Sequence, residues 1–148
     1  MYKNHFKLLC AVYLVLKKDG KVLMLRRFNT GFADGNYSLI AGHVDGGESV
    51  FDAMARETKE ETGIDIKHED LKVIHIMHRR CESPDYERFC VFLEASKYSG
   101  EIKNMEPNKC DDVRWFPIND LPVNTVDYVK MAIKNSDGGI FFSEDGWG

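Results

Sequence analysis

Apolar and polar residues follow one another in two distinct periods along this chain. Residues 6–16 are rich in Leu, Val, Tyr and Cys, and after Asp19-Gly20 a second run, 21–26, alternates apolar with polar; two such runs around Asp-Gly predict a hairpin. Tyr37-Ser38-Leu39-Ile40 leads straight into Gly42. Two longer strands are predicted over 71–79 and 88–95, with Val73, His75 and Met77 on one face of the first and Ile74, Ile76 and His78 on the other. A short strand, Val113-Arg114-Trp115-Phe116, follows a polar loop over 100–112. The helical period occurs twice. Ser49 is a good N-cap for a first helix whose apolar stripe is Val50, Phe51, Met54 and Ala55, and Gly63 stands where a helix stops. Thr125 is the expected cap of a second helix through about residue 135, with Val126, Val129, Met131, Ala132 and Ile133 on its apolar face. Residues 81–85 have turn composition, and Pro117 and Pro122 bracket another turn. The tail from Ser136 carries Phe141, Phe142 and Trp147, which are expected to pack back or to pair with a second subunit in a homodimer. Strands before, between and after two helices predict an α+β or layered α/β/α arrangement.

A length of 148 residues fits a single domain, here 1–148, and the composition is that of an ordinary globular protein. The formal charge of -4, without a basic run, argues against a nucleic-acid coat. No apolar run approaches bilayer length and no leader pattern is visible, so no membrane association and a cytoplasmic location are expected. Cys10, Cys81, Cys90 and Cys110 contain no close-set pair; buried thiols are expected, with Cys110, in a polar loop, as the exception. His75 and His78 are expected to line the surface or a cleft rather than to bind metal.

The chemistry concentrates in the first helix. At about 100° per residue, Glu57, Glu60 and Glu61 fall on one face beside the apolar stripe, where their charges repel one another. Either that face is solvated, with Arg56 and Lys59 as local partners, or a hard cation such as Mg²⁺ or Mn²⁺ belongs there, since such ions prefer all-oxygen ligands.

The spacing around this cluster is Gly42, five residues, Glu48, seven residues, Arg56-Glu57, two residues, Glu60-Glu61, one residue, Gly63 and Ile64. It resembles the signature of the Nudix hydrolases, the MutT-like family that cleaves a nucleoside diphosphate linked to another group. Thr58 stands where the family pattern has a bulky apolar residue, and Ile40-Ala41 replaces the Pro-Gly common before the first glycine. The resemblance implies a mixed sheet sandwiched between helices. It implies a metal, Mg²⁺ or Mn²⁺, held by Glu57, Glu60, Glu61 and the carbonyl of Gly42, and an Arg56 that orients Glu48 or another carboxylate. In similar enzymes a further carboxylate often comes from the loop before the Trp-containing strand, where Glu106, Asp111 and Asp112 are available here, against the reading of a solvated loop charge for each. Arg26 and Arg27 are candidates to meet phosphate, against the reading of a solvated strand end. Phe32, Tyr37 and Trp115 are candidates to stack a base, against core packing for Trp115. Intact acidic positions favour an enzyme over a nucleotide-binding regulator. Relatives that take dinucleoside polyphosphates or ADP-ribose carry a Tyr or Pro where Arg79, Arg80 and Cys81 lie here, so the expected substrate is a nucleoside triphosphate cut to monophosphate and pyrophosphate, with ADP-ribose or a nucleotide sugar as the alternative.

Overall fold

The computed structural model describes residues 4–81 and 87–148. The turn expected over 81–85 therefore lies, beyond Cys81, outside the described residues. Among the described residues eight strands form one mixed sheet: β1 (Leu9–Lys18), β2 (Lys21–Arg27), β3 (Tyr37–Ser38), β4 (Ile40–His43), β5 (Lys72–Arg80), β6 (Glu87–Ala95), β7 (Cys110–Pro117) and β8 (Phe142–Asp145). Helix α1 (Val50–Thr62) and helix α2 (Asp127–Asp137) cover its two faces. This is the α+β arrangement, helices about a mixed sheet, that the sequence pattern predicts.

β1 is the central element, pairing β2 and β4 antiparallel and β6 in parallel. Its residues alternate between two cores: Ala11, Tyr13 and Val15 face α2 with Phe92, Val129 and Ile133, whereas Val12, Leu14 and Leu16 face α1 with Ile40, Met54 and Leu93. Burial on both faces explains why 11–16 reads as an unbroken apolar run, whereas Phe6 and Leu9, in the same run, are exposed. The hairpin to β2 turns on Asp19 (φ 53°) and Gly20 (φ 74°), two successive left-handed residues whose twist suits adjoining strands.

α1 begins with a reciprocal cap. The Ser49 hydroxyl accepts the Asp52 N–H (3.0 Å) and the Asp52 carboxylate accepts the Ser49 N–H (3.1 Å). Gly63, at φ 79°, ends it and donates to the Lys59 carbonyl. Thr58 is fully buried at the position expected to be apolar, because its hydroxyl is satisfied by the Met54 carbonyl one turn back (2.7 Å).

Four expectations change and one is met by an unexpected element. α2 starts at Asp127 and is not capped by Thr125, whose hydroxyl instead donates to the Pro122 carbonyl. Met131 faces outward and Tyr128 takes its place in the core. β7 begins at Cys110, which is buried and not in a loop. The tail does pack back, through a strand the sequence did not announce: β8 adds in parallel to β5, and Trp147 lies over His78 while donating to its carbonyl. His75, finally, is fully buried. A bulge in β5 between Val73 and His75 turns Ile74 to the α2 face with His75 and Met77, which breaks the strict alternation expected there.

Candidate active site

β4 carries the site on its outer edge. The Val44 N–H is used on the Cys10 carbonyl, so in the alternating antiparallel ladder Gly42 directs its peptide groups into β1 while Ala41 and His43 direct theirs outward. α1 runs along that free edge. Glu61 accepts the Ala41 N–H (3.3 Å), and Arg56 donates to the His43 carbonyl (3.0 Å). The backbone oxygen on the carboxylate side is therefore that of Ala41, not that of Gly42 as expected. Gly42 has another reason to be glycine: a Cβ there would lie 2.0 Å from Glu57 Cδ, so the carboxylate occupies side-chain space that only glycine leaves open.

Arg56 organises the acids around it. Its Nε and Nη2 hold both oxygens of Glu48 (3.0 and 2.7 Å), and its Nη1 reaches Glu57 (2.9 Å) and, more loosely, Glu60 (3.4 Å). Glu48 also accepts the Asp45 N–H (2.8 Å), and together with the Arg56 fork this holds its carboxyl down to about 2. Glu57 and Glu61 shift the other way. Burial pushes both carboxyls up; Arg56 pulls Glu57 back while Glu60 and Glu106 add like charge to it, and Glu57 and Glu106 add like charge to Glu61.

Glu106 reaches this cluster because the loop before β7 caps α1. Lys103 and Met105 donate to the Thr62 and Glu61 carbonyls (2.9 and 3.2 Å), satisfying groups the helix end leaves open. Asp111 instead pairs with Arg26 (2.7 Å), and Asp112 takes the Tyr37 hydroxyl and lies 3.3 Å from Arg114. Among the described residues no three acidic, histidine or cysteine side chains close round a metal as they lie, with Arg56 holding Glu57 and Glu60 on its own nitrogens. The donor set still fits a hard cation: all oxygen, concentrated on one strand edge, with two carboxylates kept close against burial and like charge.

The other candidates are distributed differently. Arg27 donates to the Phe32 carbonyl and the Thr30 hydroxyl and lies over the Phe32 ring, so both arginines have internal partners. Tyr37 is buried, edge-on to Phe116, and does not offer a free face. Phe32 lines a cavity of about 400 Å³ with Asn36, Arg79, Asp127 and Tyr128 on the α2 face, and Arg79 stacks on Tyr128 at 3.9 Å. Trp115 packs, partly buried, on the α1-side core and also lines a second cleft, of about 500 Å³, with Leu23, Ile102, Lys103 and Asn104. These linings join segments far apart in the chain, and no local pattern marks them. Among the described residues no helix is long and apolar enough to cross a membrane.

Comparison with known proteins agrees with this architecture. The chain is 36% identical over 119 residues to the NAD-capped RNA hydrolase NudC of Stutzerimonas stutzeri (strain A1501), a match covering 80% of this chain and 40% of that protein. It thus spans about two fifths of the length of that relative. It is 30% identical over 130 residues to the ADP-ribose pyrophosphatase of Methanocaldococcus jannaschii, covering 88% of this chain and 74% of that one. The crystal structure of a MutT NUDIX hydrolase from Burkholderia pseudomallei shares the fold, with a TM-score of 0.79 at 23% identity over 86% of this chain and 97% of that one. The family model described as NUDIX domain matches residues 7–133, and the chain belongs to that family.

Proposed function

We propose that the protein hydrolyses the phosphoric anhydride of a nucleoside diphosphate linked to a second group, with a divalent metal, Mg²⁺ or Mn²⁺. The observation that carries this reading is the carboxylate group on the free edge of β4, with Glu61 on the Ala41 N–H and Glu57 pressed into the space of Gly42. Glu57, Glu60 and Glu61, with the Ala41 carbonyl, would hold the metal, and Glu106 lies beside them. Such an ion supplies charge neutralisation at the phosphate oxygens and a more acidic water.

This chain's own residues do the rest. Arg56 fixes Glu48 and Glu57 by a fork of hydrogen bonds and so sets the shape of the acidic group. One carboxylate of the Glu57 and Glu61 pair takes the proton of the attacking water. The water oxygen bonds to phosphorus as the bond to the bridging oxygen breaks, and that oxygen leaves with the bonding pair on the other phosphate. The cavity under Phe32 and Tyr128 suits the nucleoside, being of ligand size with a few polar groups among aromatic ones.

The smallest such substrate is a nucleoside triphosphate cut to monophosphate and pyrophosphate, the substrate expected from the missing markers at Arg79, Arg80 and Cys81. A second reading, a compound whose leaving half bears a ring or sugar, is favoured by the second cleft, whose Asn104 accepts the Glu106 N–H. The test is turnover of canonical and oxidised triphosphates, ADP-ribose, nucleotide sugars and dinucleotides with Mg²⁺ or Mn²⁺. Products should include a nucleoside monophosphate. Turnover of none of them, or equal turnover by the Glu61→Gln variant, would overturn the assignment.

A further inference from the structure

We propose that the cleft between the 100–106 loop and strands β2 and β7 is a subsite for the second half of a dinucleotide, with its heterocycle stacked on Trp115. This rests on the carboxylate group being the hydrolytic centre. The cleft encloses about 500 Å³, enough for a mononucleotide. It begins where the reaction would end. Asn104, on its rim, accepts the Glu106 N–H (3.1 Å) and donates to the Cys110 carbonyl (2.7 Å), and Glu106 neighbours Glu57 and Glu61. From Asp111 at that end to Trp115 at the other are four residues of strand, about 13 Å, the reach of a ribose phosphate carrying a ring.

The chemistry of the lining changes along that length. At the far end Leu23, paired across from Trp115, and Val113 make an apolar floor with the indole, and Ile102 faces them from the loop. An indole face accepts any heterocycle. At the near end the lining is polar: Lys103 supplies a cation, and Asp111, held on Arg26, supplies a carboxylate suited to accept a ribose hydroxyl. Among the described residues, neither the Lys103 ammonium nor the Trp115 indole N–H has a hydrogen-bond or ion-pair partner. The nucleoside cavity lies on the opposite, α2 face of the sheet, so the two halves of a dinucleotide would sit on opposite faces of it.

Two measurements decide this. The first is kcat/KM for nicotinamide adenine dinucleotide relative to ATP, in Trp115→Leu, Trp115→Phe and Lys103→Gln. The ratio should fall about 10-fold or more, through KM, in Trp115→Leu and Lys103→Gln, and stay within about 3-fold of wild type in Trp115→Phe, which keeps a stacking ring. The second uses Trp147→Phe, which leaves Trp115 as the single tryptophan of the two in the chain. Nicotinamide mononucleotide should quench its fluorescence saturably, and inorganic pyrophosphate should not. An unchanged ratio in Trp115→Leu and Lys103→Gln, or no quenching by the mononucleotide, overturns the proposal. If wild type hydrolyses neither substrate the hydrolytic reading fails, while the titration still judges the cleft.

Discussion

The Glu57 carboxylate sits where a side chain at Gly42 would have to be: a Cβ on Gly42 would fall 2.0 Å from Glu57 Cδ and 2.2 Å from Oε1. Strand and helix approach this closely only because one contributes no side chain and the other a carboxylate.

Gly42→Ala should therefore expel Glu57 from its place. We expect about 1–3 kcal/mol of destabilisation from overpacking and about a 10- to 100-fold loss of turnover. Gly46→Ala is the control, since a Cβ there meets nothing within 4 Å and should alter stability by no more than about 0.5 kcal/mol. Urea melts and initial rates on both variants make the comparison; equal behaviour would show that the contact does not matter.

Glu61→Gln should lose about 100-fold or more in turnover while remaining folded. Its pH behaviour is specific. The Glu61 carboxyl is raised in the folded state by burial and by Glu57 and Glu106, so the folded protein binds the proton more tightly than the unfolded one. The stability this provides is present below the ordinary value of 4.5 and is lost as pH rises through the folded value. In chelator, wild type should lose stability relative to Glu61→Gln as pH rises above that ordinary value. Parallel stability curves for the two proteins would contradict the shift.

Glu48 has the opposite sign. Its carboxyl is lowered from 4.5 to about 2, so the contribution is present above 4.5 and lost as pH falls toward 2. Glu48→Gln should flatten the acid side of the stability profile and release Arg56, with turnover reduced about 10- to 100-fold. Arg56→Lys should not rescue function, because an ammonium cannot reproduce the fork that grips both Glu48 oxygens.

Metal should stabilise the fold by mass action, by about 2.7 kcal/mol at a hundredfold excess over Kd. For a chain of this length that is a rise in Tm of roughly 5–10 °C. Glu61→Gln should lose most of the rise. Calorimetry with Mg²⁺ or Mn²⁺ against chelator reads it directly, and an unchanged wild-type Tm at catalytically saturating metal would count against the carboxylate group as the site.

His75 bolts the last strand to the sheet, bonding the Ile140 carbonyl (2.9 Å) and the Ser143 hydroxyl (2.7 Å) from a fully buried position. His75→Ala leaves both groups unpartnered beside a void and should cost about 2–4 kcal/mol. Amide exchange should rise first in β8, before the β1 and β6 pair at the centre of the sheet.

Local spacing was enough to specify α1 and its acids. Ser49, Asp52 and Gly63 act within one or two turns of themselves, and Glu57, Glu60 and Glu61 share a face by helical period alone, so these features belong to any fold that forms the helix. The hairpin at Asp19-Gly20 was legible for the same reason. Long-range contact decided the rest. That Ala41, and not Gly42, turns its carbonyl to the acids depends on which ladder position of β1 faces β4; that Gly42 must lack a side chain depends on the approach of α1. The burial of His75 required a β8 whose partner, β5, lies far earlier in the chain, and Glu106 comes near Glu57 and Glu61 because Lys103 and Met105 cap the end of α1. Periodicity reports which residues prefer to leave water; only packing between distant segments fixes which backbone edge, which carboxylate and which aromatic face are left to meet a ligand.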